Sequence, residues 1–171
     1  MRPPRILCID DDETVLTMLR AVLELEGYEV RIAKRTSLGL ELLRTEPPDL
    51  VLTDLRIDEL DGMDMLKAVK AIDPEIVVIM LTGYASLQTA IQAMRAGAYD
   101  YLLKPVDVDE LTLTIARGLE KRGLTLALKA RIVELDRGRQ GALRREREAP
   151  IRRGDSFAEG YRTDVTFTDR A

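Results

Sequence analysis

Hydrophobic and polar positions alternate along this chain in two distinct rhythms. Short, strand-like apolar runs occupy Arg5–Ile9, Glu29–Ala33, Leu50–Thr53, 76–81 and 99–103, the second and last with charged residues among them. Runs of this length with little polar interruption predict strands buried on both faces. Between them, apolar residues recur three and four apart, the spacing of one helical face. Val15, Leu16, Leu19, Val22 and Leu23 form the first such face, ahead of Gly27, a suitable residue just past a helix end. The second segment, near 37–44, stops before Pro47-Pro48, and the third carries Met63, Leu66, Val69 and Ile72. The fourth carries Leu87, Ala90, Ile91 and Met94 and ends at Gly97; the fifth starts near Asp107 with Leu111, Ile115 and Leu119.

Strict strand–helix alternation predicts an α/β fold: a doubly wound, five-stranded parallel sheet with helices on both faces. The common strand order at this size is 2-1-3-4-5, the flavodoxin-like arrangement, with its switch point between the first and third strands. Both of those strands run into carboxylates, Asp10-Asp11-Asp12 after the first and Asp54 after the third. Thr82 and Lys104 follow the fourth and fifth runs, so all these groups are expected at one sheet edge. Pro105 follows Lys104 directly, where a cis bond could fix the lysine's direction.

Charge divides the chain. Residues 1–116 carry a net −9, residues 117–153 a net +7, and residues 154–171 a net −2. An acidic globular domain is expected at 4–121, a helical extension at 122–136, and a basic, flexible tail at 137–171. Cys8 lies inside the first apolar run and is expected to be a buried hydrophobe in a reducing compartment. No apolar stretch approaches membrane-spanning length, and the cytoplasm is the expected location.

The sequence contains no histidine. That rules out histidine acid–base catalysis within the chain, Ser/His and Cys/His nucleophilic pairs, and histidine-ligated zinc. Carboxylates gathered without histidine or thiolate suit a hard cation, Mg²⁺ or Mn²⁺. A carboxylate in such a site can attack phosphorus and form an aspartyl phosphate. The cation and a lysine would offset charge on the transferred oxygens.

The blocks CIDDDE, VLTDLRIDELDG, IMLTGYAS and AYDYLLKPVD together resemble the receiver domain of two-component response regulators. Gly97-Ala98-Tyr99-Asp100-Tyr101 and Thr82-Gly83-Tyr84 give the resemblance an NtrC-like flavour. It implies that Asp54 is the phosphoacceptor and that Asp11 ligates the metal, with Asp10 linked to it through water. It also implies a backbone-carbonyl metal ligand at Arg56, a switch pair in Thr82 and Tyr101, and the family lysine in Lys104. Asp12 would add negative potential or cap the first helix. The implied partners are a sensor histidine kinase or phosphotransfer protein, a downstream effector protein, and a second copy of the chain. The implied activity is that of a switch catalysing only its own phosphorylation and dephosphorylation, not that of an enzyme with an external substrate. Arg56 and Tyr84 are expected to flank the phosphoryl group, with Tyr84 shielding it from water.

One departure is Ile57-Asp58, where many receivers carry Met-Pro; it bears on partner preference more than on phosphorylation. Haloacid-dehalogenase-like phosphatases also use an aspartate nucleophile, but they place a second aspartate two residues on, where this chain has Arg56. Beyond residue 119, Leu124, Leu128, Ile132 and Leu135 make a narrow stripe. It fits a local continuation of the fifth helix or a dimerising one equally well. The arginine-dense 137–153 reads as a solvated linker, with nucleic-acid contact as the alternative. The last 50 or so residues are too few for an ATPase or DNA-binding module. The leading expectation is a single-domain regulator; the alternative is a DNA-associated one.

Overall fold

The computed structural model describes residues 2–57 and 60–148. Its five main strands are β1 (Arg5–Ile9), β2 (Glu29–Ala33), β3 (Leu50–Thr53), β4 (Val77–Thr82) and β5 (Asp100–Leu103). They form one sheet in the order β2-β1-β3-β4-β5, with every neighbouring pair parallel. The doubly wound expectation and its strand order are both met. The helices are α1 (Glu13–Leu25), α2 (Thr36–Thr45), α3 (Gly62–Ile72), α4 (Leu87–Arg95) and α5 (Val108–Glu148). A small antiparallel hairpin, Arg56–Ile57 against Leu60–Asp61, lies between β3 and α3.

Side chains alternate across a strand, so each strand feeds two cores. Leu7, Ile9, Val51, Val78 and Met80 face Leu43 of α2 and Met65, Leu66 and Val69 of α3. Ile6, Cys8, Leu52, Ile79 and Leu81 face Leu16, Leu19 and Leu23 of α1 and Leu111 and Ile115 of α5. Ile57, in place of the family methionine, is buried in the first of these cores. Gly27 adopts φ +87° just past α1, as its position in the sequence predicted.

Two helices depart from expectation. In α4 the apolar spacing does not mark the buried face: Leu87, Ile91 and Met94 are exposed, and Ala93 is the buried residue. The expected boundaries at 121 and 136 also do not appear as breaks, because Val108–Glu148 is helical throughout. The segment expected to be flexible from 137 is therefore helical as far as Glu148. One helical glycine costs only about 1 kcal/mol, so Gly138 and Gly141 need not end a helix rich in arginine, leucine and glutamate. The remainder of that segment, and Asp58 with Glu59, lie outside the described residues.

By contact density the chain forms one unit to Ile132 and a second from Val133. Within the first, α5 is tied to the sheet's amino-terminal edge. The Arg122 side chain, 12% exposed, pairs with Asp49 at 3.5 Å and Asp73 at 3.3 Å. Lys129 pairs with Glu75 at 2.5 Å. Residues 122–129 are thus tied to the sheet's amino-terminal edge by ion pairs. In the second unit, Val133, Leu135 and Leu143 are exposed and Arg144 pairs with Glu148 at 2.8 Å. Among the described residues, no helix is long and apolar enough to cross a membrane.

Candidate functional site

The carboxyl ends of β1 and β3 deliver Asp10 and Asp54 one residue beyond the last strand positions. The Asp54 N–H donates to the Ile9 carbonyl at 3.2 Å, which continues the ladder far enough to hold both acids side by side. Both side chains are almost fully buried, whereas Asp11 is exposed. One carboxylate oxygen from each of Asp10, Asp11 and Asp54 can be chosen so that all lie within 4.8 Å of one another. Three hard oxygen donors at that separation fit a small divalent cation with water completing its shell.

Lys104, just past β5, reaches into the same cluster. Its Nζ donates to Asp10 Oδ2 at 2.5 Å and to Asp54 Oδ2 at 2.7 Å. Burial alone would lower its pKa, but hydrogen bonds and charge from Asp10 and Asp54 outweigh that and raise it. Asp10 is shifted upward too, which for an acid disfavours the charged form. Burial pushes its carboxyl above the usual range against the pull of Lys104 and of the Asp12 N–H. The Lys104–Pro105 peptide is cis.

The second Asp54 oxygen is also held, because the Arg56 N–H donates to Oδ1 at 3.1 Å. Gly62 shares this constraint. Its N–H donates to the Leu55 carbonyl at 2.8 Å, and a Cβ there would overlap the Asp54 carbonyl oxygen. The Arg56 guanidinium lies 4.2 Å from the centroid of the exposed Tyr84 ring. That is within cation–π range, and the stack joins the segments that follow β3 and β4.

Asp12 adopts the capping alternative, its Oδ1 accepting from Thr14 N at 2.8 Å and Val15 N at 3.3 Å. Thr82 is the last residue of β4 rather than the first beyond it, and is fully buried. Its hydroxyl oxygen accepts from the Tyr84 N–H at 3.1 Å. Tyr101 is half-buried against the first core, its hydroxyl 2.9 Å from Thr89 Oγ1.

Every side chain predicted for the site lies at this sheet edge or in the elements beside it. Sequence reading missed Gly62 and Thr89; it singled out Arg56 and Tyr84 but not their stacking on one another. Ser86-x-x-Thr89 at the start of α4 was a readable capping signal. Nothing in the sequence marks the close approach of Gly62 to Asp54.

Comparison with known proteins agrees with this geometry. The profile of the response regulator receiver domain matches residues 6–116. Transcriptional regulatory protein ZraR of Klebsiella oxytoca is 44% identical over 114 residues, 67% of this chain and 26% of that protein. The chain thus spans about a quarter of the length of the curated relatives it matches. A CheY-like receiver domain protein from Methanospirillum hungatei JF-1 superposes with TM-score 0.70 and 35% identity, over 72% of this chain and 98% of that one. The beryllofluoride-activated NtrC4 receiver domain dimer gives 0.67 and 33%, over 69% and 98%. With its doubly wound sheet and the acids and lysine at one sheet edge, this chain belongs to the response regulator receiver domain family of two-component signalling.

Proposed function

We propose that Asp54 accepts the phosphoryl group from a phosphohistidine on a partner kinase or phosphotransfer protein. The observation that carries this reading is the Lys104 ammonium bridging Asp54 and Asp10 beside Asp11. An Asp54 carboxylate oxygen attacks phosphorus, a P–O bond forms, and the P–N bond to the partner's imidazole breaks. The imidazole leaves with the bond's electron pair. Lys104, now beside a phosphoryl oxygen, balances the added charge, and the Thr82 hydroxyl supplies a hydrogen bond. Asp10, Asp11, Asp54 and the Arg56 carbonyl are the groups to hold Mg²⁺ or Mn²⁺, Asp10 through water. That ion would supply charge neutralisation at the phosphoryl oxygens. Water later hydrolyses the acyl phosphate, which releases inorganic phosphate and returns the free Asp54 carboxylate.

The test is the lability of the adduct. Acetyl phosphate with Mg²⁺ should label the protein, EDTA should suppress labelling, and hydroxylamine, which cleaves acyl phosphates, should remove the label. A label that forms equally well in EDTA, or that resists hydroxylamine, contradicts the reading.

For the output, the exposed Leu124, Leu128 and Ile132 of α5 support pairing with a second copy of the chain. The similarity to a receiver solved as a dimer points the same way. A downstream effector protein is the other partner. A second reading makes the chain part of a DNA-associated regulator. It is favoured by the arginines at 137, 139, 144, 145 and 147 on a helical segment, and by the similarity to a transcriptional regulatory protein. Salt-dependent DNA retardation, lost on deleting 133–171, would favour this second reading.

A further inference from the structure

The Thr89 side chain on α4 has more hydrogen-bonding neighbours than it can satisfy. Its Oγ1 lies 3.1 Å from the Ser86 N, 3.0 Å from the Ser86 carbonyl oxygen, 3.0 Å from Ser86 Oγ and 2.9 Å from the Tyr101 hydroxyl. A hydroxyl has one proton and two acceptor lone pairs, so three of these four contacts can be hydrogen bonds at once. The Ser86 N–H takes one lone pair, and the Thr89 proton goes to the Ser86 carbonyl. One lone pair remains, and two O–H donors compete for it: Tyr101 and Ser86. Ser86 Oγ meanwhile accepts the Thr89 N–H at 3.1 Å, so the capping box at the start of α4 stays closed either way.

We infer that Thr89 is a positioning residue for Tyr101, a latch that holds the ring half-buried against the core while Tyr101 O–H occupies that last lone pair. When the ring leaves, Ser86 O–H fills the vacated position, and α4 loses no capping hydrogen bond. Opening the latch exchanges one neutral hydrogen bond for another, so the two ring positions stay close in free energy. A switch residue needs that near-balance.

The loop joining the two ends of the site supports the same coupling. Thr82 Oγ1 accepts from the Tyr84 N–H, and Tyr84 lies two residues before Ser86. If the Thr82 hydroxyl turns to a phosphoryl group, that acceptor is withdrawn from the loop which ends at the α4 cap. The link between latch and phosphorylation rests on the proposed roles of Asp54 and Thr82. The latch itself does not.

The test uses the full chain with 3-fluorotyrosine incorporated, the Tyr101 ¹⁹F resonance being assigned by Tyr101→Phe and its exposure read from the H₂O/D₂O isotope shift. Thr89→Val, which keeps the shape but removes the hydroxyl, should move the Tyr101 signal toward the exposed value. The population change should be about fivefold, the factor carried by one neutral hydrogen bond. Thr89→Ser should restore the wild-type position, which a loss of packing would not predict. A Tyr101 resonance identical in wild type and Thr89→Val overturns the latch, as does failure of the serine to restore it. Acetyl phosphate with Mg²⁺ forms a separate arm. A wild-type Tyr101 signal that ignores it, while Thr89→Val still shifts that signal, overturns the switch reading and leaves the latch standing.

Discussion

Asp54 is oriented through both of its oxygens, one by the Arg56 N–H and one by Lys104. Its backbone is confined as tightly, because Gly62 passes where no side chain fits. Gly62→Ala should push the Asp54 carbonyl away and cut labelling by acetyl phosphate at least tenfold, with the fold kept by circular dichroism. Wild-type labelling of that variant would contradict the constraint. Arg56 and Tyr84 stack between the segments that follow β3 and β4, and under the proposed function Tyr84→Ala should admit water and speed loss of the acyl phosphate several-fold. An unchanged decay rate would remove Tyr84 from that role. Cys8, in contrast, has no part in the chemistry. Burial pushes its thiol from 9.0 up to about 12, so the native state keeps a proton that the unfolded chain releases. Its contribution to stability is complete below 9.0 and is lost as pH climbs from there toward about 12. Over that window urea stability should fall by about 1.4 kcal/mol per pH unit more steeply in wild type than in Cys8→Ala. Parallel slopes would contradict this assignment.

The elements show where sequence was enough and where it failed. Strands were legible because a strand buried on both faces leaves an apolar run that few other structures produce, as at Leu50–Thr53. Site acids and lysine were legible because each stands directly after such a run. Helix α4 was not. Its Leu87, Ile91 and Met94 repeat at core spacing yet face solvent, since periodicity shows that a face is apolar and not what covers it. The ties that α5 makes beyond residue 121 were missed for a different reason. Arg122 and Lys129 read as the start of a basic tail, but their partners Asp49, Asp73 and Glu75 lie more than 45 residues away in sequence. Arg122→Ala removes the guanidinium beside Asp73 and one of the two beside Asp49, which keeps Arg2 at 3.3 Å. It should cost about 1–3 kcal/mol in urea unfolding, between the values of exposed and buried pairs. Amide exchange over 122–131 should quicken in parallel. A variant with unchanged midpoint and exchange would mean that the tie contributes nothing.

Across the whole molecule, chemistry and support sit at opposite edges of one sheet. The carboxyl edge gathers Asp10, Asp11, Asp54, Thr82 and Lys104. At the amino edge, Asp49, Asp73 and Glu75 anchor α5. Between them runs the parallel sheet, and Tyr84, Thr89 and Tyr101 lie in the loop after β4, on α4 and on β5. These 171 residues hold no histidine, so under the proposed function the donor imidazole comes from outside them. The central claim is that Asp54 is the phosphoryl acceptor, and intact-mass spectrometry tests it most directly. After incubation with acetyl phosphate and Mg²⁺, the wild-type chain should gain the mass of one phosphoryl group and Asp54→Asn should gain none. A wild-type chain that gains nothing, or an Asp54→Asn chain that gains the same increment, would contradict the account.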